Sequence, residues 1–288
     1  MIIDGKKISA EIKEELKKQV ALSGEKISLG VIWVGDYPIS GRYVRMKKKF
    51  GEEAGIEVNI YKLPLTISTD DFIKKTREIS EKESGIIIQL PLPEKVDYKL
   101  VLSNIPEGKD VDLLSEQAYL EFEKGVSKIL PPVVGAIKEI LERSGVTEDK
   151  ISGLDVVCVG RGKLVGKPAA SWFKNLGANV ILLGRDTEDI GEFTKTADII
   201  ISGAGVPGII KPYMFPEKSE TKSGLTTTGQ SGVILIDAST SDVGGKLIGD
   251  ADPACAEKCS VFSPVPGGVG PITVAMLFKN LVTLQLGN

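Results

Sequence analysis

Tyr43 to Lys47, YVRMK, places a phenol and an amine four residues apart within an amphipathic stretch. Turning roughly 100° per residue from Tyr43, the side chains of Met46, Phe50, Tyr43, Ala54 and Val44 fall on one side, and Lys47 falls in the middle of that stripe. Arg42, Arg45, Lys48 and Lys49 fall on the other faces, as a solvated charge run does. An amine among apolar neighbours is desolvated, and desolvation lowers its pKa towards the range of a general base. The same pattern also fits a lysine that snorkels past its neighbours to water. The helix alone leaves both open.

The chain contains no histidine. Serine–histidine triads, cysteine–histidine dyads, histidine–zinc sites and histidine proton shuttles are therefore excluded, and proton transfer falls to Lys, Tyr, Asp, Glu or Cys. Cys158, Cys255 and Cys259 can form neither a disulfide framework nor a four-cysteine zinc site, and read as buried thiols in a reducing compartment. A net charge of −3 argues against a general nucleic-acid binder. The N-terminus carries no long apolar signal region, and no run of about eighteen apolar residues occurs, so the expectation is a cytoplasmic protein without a membrane partner. Asp110 and Asp112, two apart, would face the same way in extended chain. With so few ligands nearby no metal is expected, and turn chemistry or solvated surface is the alternative reading of the pair.

A second chemical feature runs from Leu154 to Pro168, LDVVCVGRGKLVGKP. The apolar run Val156–Val159 breaks into Gly160, Arg161, Gly162 and then Gly166, which reads as a strand entering a glycine-rich turn. Lys167 to Leu176 then reads as a helix with Pro168 in its first turn and Gly177 at its end. Free amides and the helix dipole make such a turn an anion site, and a dinucleotide pyrophosphate fits there. The spacing misses the usual fingerprint by one position, so a purely structural turn is the other possibility. Val180–Leu183 is the next strand, followed by Gly184, Arg185 and Asp186. At that tip an acid would hold the ribose hydroxyl of NAD, and an arginine the phosphate of NADP. Arg185 favours NADP, while Asp186 speaks for NAD. A third strand, Ala197–Ser202, ends in Gly203, Ala204 and Gly205, where a close backbone approach to a cofactor is plausible.

At 288 residues the chain should hold about two domains. Before the glycine turn, periodicity predicts a helix over Lys6–Leu22, a strand over Ser28–Val34, a turn over Gly35–Pro38, a helix over Ser40–Ala54 and a strand over Ile56–Tyr61. A helix over Thr69–Lys82, entered from Ser68, and a buried strand over Gly85–Gln89 follow. Gln89 would sit at the carboxyl end of its strand, which in an α/β layer faces the ligand crevice; satisfaction by loop backbone is the other reading. Pro131 and Pro132 mark a boundary, and Val133–Ser144 reads as the helix after it. Glu217–Gly232 reads as a polar surface loop, Val233–Ala238 as a strand, Ser263–Thr273 as a shaped loop too rich in Pro and Gly for helix or strand, and Ile272–Leu284 as the last helix.

Taken together, YVRMK (Tyr43–Lys47), GIIIQLPLP (Gly85–Pro93), KDVD (Lys109–Asp112), GRGKLVGKP (Gly160–Pro168) and PVPGGVGPIT (Pro264–Thr273) resemble the bifunctional methylenetetrahydrofolate dehydrogenase/cyclohydrolase family over nearly the whole chain. The resemblance implies a two-domain α/β protein: an N-terminal α/β catalytic domain over 1–132, completed by a C-terminal helix over 270–288, and a Rossmann-type NAD(P)-binding domain over 133–269, with a folate cleft between them. It implies that Lys47 is the catalytic lysine, that Tyr43 stacks on or orients the folate, that Gln89 tunes the lysine, and that Asp112 holds the pterin. Pro264, Gly267, Gly268, Pro271 and Thr273 would line the folate site. Gly160, Arg161, Gly162, Val165, Gly166, Arg185, Gly203, Ala204 and Gly205 would hold NADP, or NAD in its place, with Arg161 and Arg185 at the adenosine phosphate. The implied chemistry is oxidation of 5,10-methylenetetrahydrofolate and hydrolysis of the methenyl product to 10-formyltetrahydrofolate, serving one-carbon metabolism and purine biosynthesis, in a homodimer.

The chain departs from the family pattern in three places. Leu113 and Leu114 follow KDVD where the family has Gly and an aromatic residue or leucine, and Ser115–Leu120 replaces an asparagine-containing segment. Pro131–Val134 replaces a Pro-Cys-Thr-Pro run, and Leu183, Gly184 and Arg185 replace Cys-His-Ser. The alternatives are a dehydrogenase with little hydrolase activity, a shikimate-type Rossmann oxidoreductase and a non-catalytic cofactor-binding module.

Overall fold

The computed structural model describes residues 1–35, 38–215 and 232–287. The expected turn residues Asp36 and Tyr37, and nearly all of the expected 217–232 loop, lie outside the described residues. The chain divides into two compact units, one of Ser9–Pro132 with Val274–Asn288, the other of Met1–Ile8 with Val133–Thr273.

The elements of the first half are α1 (Gly5–Ser23), β1 (Ser28–Val34), α2 (Pro38–Glu53), β2 (Glu57–Leu63), α3 (Thr69–Ser80), β3 (Gly85–Gln89), α4 (Tyr98–Leu102) and α5 (Glu116–Glu123). The three strands form a parallel sheet in the order β2-β1-β3. β1 and β3 read as continuous apolar runs because helices cover both faces of such a sheet, and Val31, Ile32, Val34 and Ile86–Ile88 are all buried. Ile32, Val34, Phe72, Ile79, Ile86 and Ile88 share one core. α3 begins where Ser68 predicts, its hydroxyl accepting from the Asp71 amide at 3.1 Å. The sequence reading missed α4 and α5. They are only five and eight residues long and show little periodicity, yet each has a conventional cap: the Asp97 carboxylate accepts from Leu100 N–H and the Ser115 hydroxyl from Ala118 N–H.

The second half comprises α6 (Pro132–Arg143), β4 (Asp155–Val159), α7 (Gly166–Asn175), β5 (Asn179–Leu183), α8 (Gly191–Thr194), β6 (Ile199–Ser202), β7 (Val233–Asp237), the hairpin β8 (Ser241–Val243) and β9 (Lys246–Ile248), β10 (Cys259–Ser263) and α9 (Val269–Leu286). Five of these strands form an all-parallel sheet ordered β10-β7-β6-β4-β5. Counted from β4 this is the doubly wound order 2-1-3-4-5, whose switch point lies between β4 and β6. Met1–Ile8 packs with this unit: Ile3 N–H donates to Phe262 carbonyl and Phe262 N–H to Met1 carbonyl, both at 2.9 Å, so the N-terminus extends the sheet beyond β10.

The expected loop over Ser263–Thr273 is shorter than its composition suggests. Ser263 closes β10, and Val269–Thr273 is already helical, with Pro271 in the first turn, where its missing N–H is not needed. α9 is long and apolar enough to cross a membrane by length and composition, although Lys279 and Asn280 interrupt it. From Val274 it is instead the core helix of the first unit. Ala275, Phe278 and Leu281 are fully buried, Phe278 stacks on Phe50 at 5.0 Å, and the Asn280 amide donates to the carbonyls of Val111 and Leu130 at 2.9 and 2.7 Å. Cys158 and Cys255 are buried and Cys259 only partly so; all three are free thiols.

Candidate active site

α2 presents Ser40, Val44, Lys47, Phe50 and Gly51 to the interior, and Ala54 just past its end is buried as well. A Cβ at Gly51 would come within 2.3 Å of Val58, so this helix lies almost against β2. Tyr43 is half-buried on the flank of that face. Met46, expected within the stripe, is exposed, because the buried arc centres on Val44, Lys47 and Gly51 and leaves position 46 outside it. Arg42, Arg45, Lys48 and Lys49 are exposed as expected.

Lys47 does not snorkel. It is 9 % exposed, and its Nζ donates to Gln89 Oε1 at 2.9 Å. Gln89 ends β3 in register with Trp33, and its amide nitrogen donates to the Leu90 carbonyl at 2.9 Å. That second bond fixes which end of the amide faces the lysine, so loop-backbone satisfaction and a place at the site are both realised. Ser40 Oγ donates to the same Leu90 carbonyl at 3.2 Å, tying α2 to the turn after β3. Burial lowers the Lys47 pKa from its ordinary value, and the charge of Asp112 acts in the opposite sense. Burial likewise raises the Asp112 pKa, with Lys47 opposing and Asp110 adding to the rise. Amine and acid therefore lie within one another's field.

Asp110 and Asp112 do not share an extended run. Asp110 bridges to Ile86 beside β3 and accepts from Leu114 N–H at 3.2 Å and Ser115 N–H at 2.7 Å. Its carboxylate thus closes the turn leading to α5, while Asp112 is left to interact with Lys47. The turn is completed by Leu113 at φ +51°, a left-handed conformation that costs a non-glycine residue about 1 kcal/mol or more. The Leu113 side chain is 2 % exposed, and that burial offsets the cost.

In the other unit, the ends of β4 and β6 meet the start of α7 through glycines. Gly160 has φ +105°, and a Cβ on it would lie 2.5 Å from the Gly203 carbonyl oxygen. A Cβ on Gly166 would lie 1.7 Å from the Gly160 oxygen, and one on Gly203 would lie 2.4 Å from Val165. Gly160, Gly166, Gly203 and Val165 are therefore in close contact with one another. Gly162 faces open space, its nearest neighbour 3.9 Å from a would-be Cβ. A turn this stripped of side chains, at the N-terminus of a ten-residue helix and at the switch point of the sheet, fits a dinucleotide.

Asp250 was not foreseen from the sequence. Fully buried, it accepts from Ser202 Oγ at 2.7 Å, Ala204 N–H at 2.7 Å and Val206 N–H at 2.8 Å, so one carboxylate shapes the whole 203–205 segment. Nothing local in GDAD marks it, because its partners lie more than forty residues away. Its neighbour Asp237, at the end of β7, accepts from Ser239 N–H and Ala251 N–H, yet burial foremost, with the charge of Asp250, pushes it up to about 7.

At the tip of β5 the sequence places Arg185 and Asp186, and the structure pairs the acid with Arg161 from the turn between β4 and α7: Arg161 Nη1 lies 2.7 Å from Asp186 Oδ1. The Arg161 bond holds the Asp186 carboxyl below its ordinary range. Arg185 is exposed. The Pro264–Thr273 segment sits in this same unit. Gly268 N–H donates to the Pro264 carbonyl at 2.8 Å, and Gly5 N–H donates to the Gly267 carbonyl at 2.9 Å. A Cβ on Gly268 would lie 2.5 Å from the Pro264 oxygen, so the turn closes only around glycine there. Thr273 Oγ1 donates back to the Val269 carbonyl at 3.1 Å. Tyr43, Lys47, Gln89 and Asp112 thus belong to one unit, and the nucleotide-turn residues together with the 264–268 turn belong to the other.

A doubly wound sheet with a glycine-lined anion turn at its switch point, carried on one chain with a desolvated lysine in the field of an acid, defines a two-unit α/β enzyme with an NAD(P)-binding unit. Residues 3–112 match the catalytic-domain model, and residues 131–287 the NAD(P)-binding-domain model, of tetrahydrofolate dehydrogenase/cyclohydrolase. The chain belongs to the tetrahydrofolate dehydrogenase/cyclohydrolase family. It is 38% identical over 296 residues to a bifunctional protein FolD of Halothermothrix orenii, covering 98% of this chain and 96% of that protein. Among solved structures it is similar to the bifunctional FolD methylenetetrahydrofolate dehydrogenase/cyclohydrolase of Campylobacter jejuni, with a TM-score of 0.90, 33% identity, and coverage of 100% of this chain and 99% of that one. The Trypanosoma brucei FolD, solved with NADP and an inhibitor, gives a TM-score of 0.87 at 32% identity, covering 99% and 96% of the two chains.

Proposed function

We propose that this chain oxidises 5,10-methylenetetrahydrofolate with NADP and hydrolyses the 5,10-methenyl product to 10-formyltetrahydrofolate. The observation that carries the reading is the Lys47 amine, buried, bonded to Gln89 and opposed by Asp112. Burial shifts Lys47 towards its neutral form, and a neutral amine can take a proton from the water that attacks the methenyl carbon. Gln89, its own orientation set by the Leu90 carbonyl, fixes where that amine stands. Asp112 has the charge to hold the pterin, and Tyr43 on the flank of the same helix offers a ring for the folate to stack on. Gly160, Gly162 and Gly166 would cradle the pyrophosphate, and the 203–205 segment shaped by Asp250 would approach the nicotinamide end. When bound, the nicotinamide accepts the hydride. Pro264, Gly267, Gly268, Pro271 and Thr273 would line the folate site.

NADP is preferred over NAD in this reading because the exposed Arg185 guanidinium can pair with a phosphate that NAD lacks. The product formyl group would serve one-carbon transfer, including purine biosynthesis, in the cytoplasm, with the chain acting as a homodimer. The test is a spectroscopic assay of the purified protein with methylenetetrahydrofolate and each nucleotide, following methenyl formation and then its decay. Formation without decay would leave a dehydrogenase alone, absence of both would overturn the reading, and equal or better turnover with NAD would overturn the cofactor preference.

A further inference from the structure

Arg161 and Asp186 come from different elements and meet at the tip of β5. Arg161 lies in the turn between β4 and α7, and Asp186 lies three residues beyond Leu183. Their guanidinium nitrogen and carboxylate oxygen are 2.7 Å apart, and Arg161 Nε also reaches the Leu182 carbonyl at 3.5 Å. Space for the pair is provided by Gly184: a Cβ there would lie 2.8 Å from the Arg161 Cζ and Nε and 2.8 Å from Asp186 Oδ1. A side chain at position 184 would require the pair to shift from this arrangement. The two side chains are 49% and 67% exposed, so water screens the pair and the guanidinium can exchange one acceptor for another.

The two nucleotides meet this pair differently. The dianionic 2′-phosphate of NADP would compete with Asp186 for the Arg161 guanidinium and would be repelled by the same carboxylate. The 2′-hydroxyl of NAD carries no charge and can donate to Asp186 while the ion pair stays made. We propose that Asp186, held by Arg161, is the residue that limits how strongly this chain discriminates NADP from NAD. Arg185 favours the phosphate, Asp186 opposes it, and the selectivity is the difference between them. The inference rests on the reading that this unit binds NAD(P) with the adenosine ribose at the tip of β5.

The test uses the full-length protein, with dissociation constants for NADP and NAD measured by calorimetry for the wild type, Asp186→Asn and Asp186→Ser. Both variants should tighten NADP by roughly 5- to 20-fold, the span of one lost repulsion and one freed charge-assisted bond, with NAD unchanged or weakened. The gain should shrink as salt is raised, since the site is exposed. Retained NAD binding and an unchanged circular dichroism spectrum show that the variants are folded. If the wild type binds both nucleotides and the variants leave the NADP/NAD ratio within about twofold of wild type, a change no larger than that of an inert surface charge, the proposal is wrong while the cofactor site stands. If the wild type binds neither nucleotide, the reading of the site fails and this inference fails with it.

Discussion

The Nζ of Lys47 lies 2.9 Å from Oε1 of Gln89, a contact made between the middle of α2 and the last residue of β3, forty-two positions apart in the chain. It places the amine at the carboxyl end of a parallel sheet, where α/β proteins bind their ligands. Lys47→Met keeps the length of the side chain and removes the amine. Hydrolysis of supplied methenyltetrahydrofolate should fall by roughly 10² to 10⁴, the usual loss for a general base, while both ligands still bind and some dehydrogenase activity survives. An undiminished hydrolysis rate in the folded variant would show that the amine takes no part.

The pH profile tests the electrostatics of the same group. Burial lowers the Lys47 pKa and the Asp112 charge raises it. Hydrolysis should therefore rise with pH as the amine loses its proton, with the rising limb below the ordinary lysine range. Asp112→Asn removes the charge that helps hold that proton, so the limb should move to lower pH. The measurement is kcat against pH at saturating methenyltetrahydrofolate, which separates the shift from weakened folate binding. A limb that stays in place or moves upward would contradict the assignment.

Asp237 links stability to pH in the NAD(P)-binding unit. Burial lifts its pKa to about 7, whereas an unfolded-chain aspartate titrates at about 3.9. The folded state therefore holds this proton more tightly than the unfolded one. The contribution is fully present below about pH 4 and is lost as pH rises towards 7, at up to about 1.4 kcal/mol per pH unit. Denaturant unfolding at pH 5.5 and pH 7.5 should show the wild type losing stability relative to Asp237→Asn over that interval. Parallel behaviour of the two proteins would rule the link out.

The exposed basic face of α2 should attract the glutamate tail of folates. Lys48 and Lys49 have loose partners in Glu52 and Glu53, at 3.8 and 3.9 Å, so Arg42 and Arg45 are the better candidates for this attraction. Steering of this kind fades with salt. Binding of polyglutamylated folate should weaken as ionic strength rises, and Arg42→Ala with Arg45→Ala should flatten that dependence. Affinity that ignores salt in the wild type would refute it.

Much of the local structure could be read directly from the amino acids. β1 and β3 were bounded correctly because a strand covered on both faces is written as an unbroken apolar run, and the start of α3, though not its end at Ser80, because Ser68 and the acids after it spell a helix start. A period of 3.6 residues alone puts Lys47 on the apolar face of α2, and the tertiary structure shows that it is buried there. Such patterns reach about as far along the chain as one helix or strand. The turn at Leu113, the shaping of 203–205 by Asp250, the Arg161–Asp186 pair and the strand β10 all depend on partners from distant segments. A polar side chain has no periodicity that names its partner. Only the register of the sheets and the crossing of the chain at the switch point bring a donor to its acceptor, and the low dielectric of the interior then decides which amine or carboxylate loses its ordinary charge.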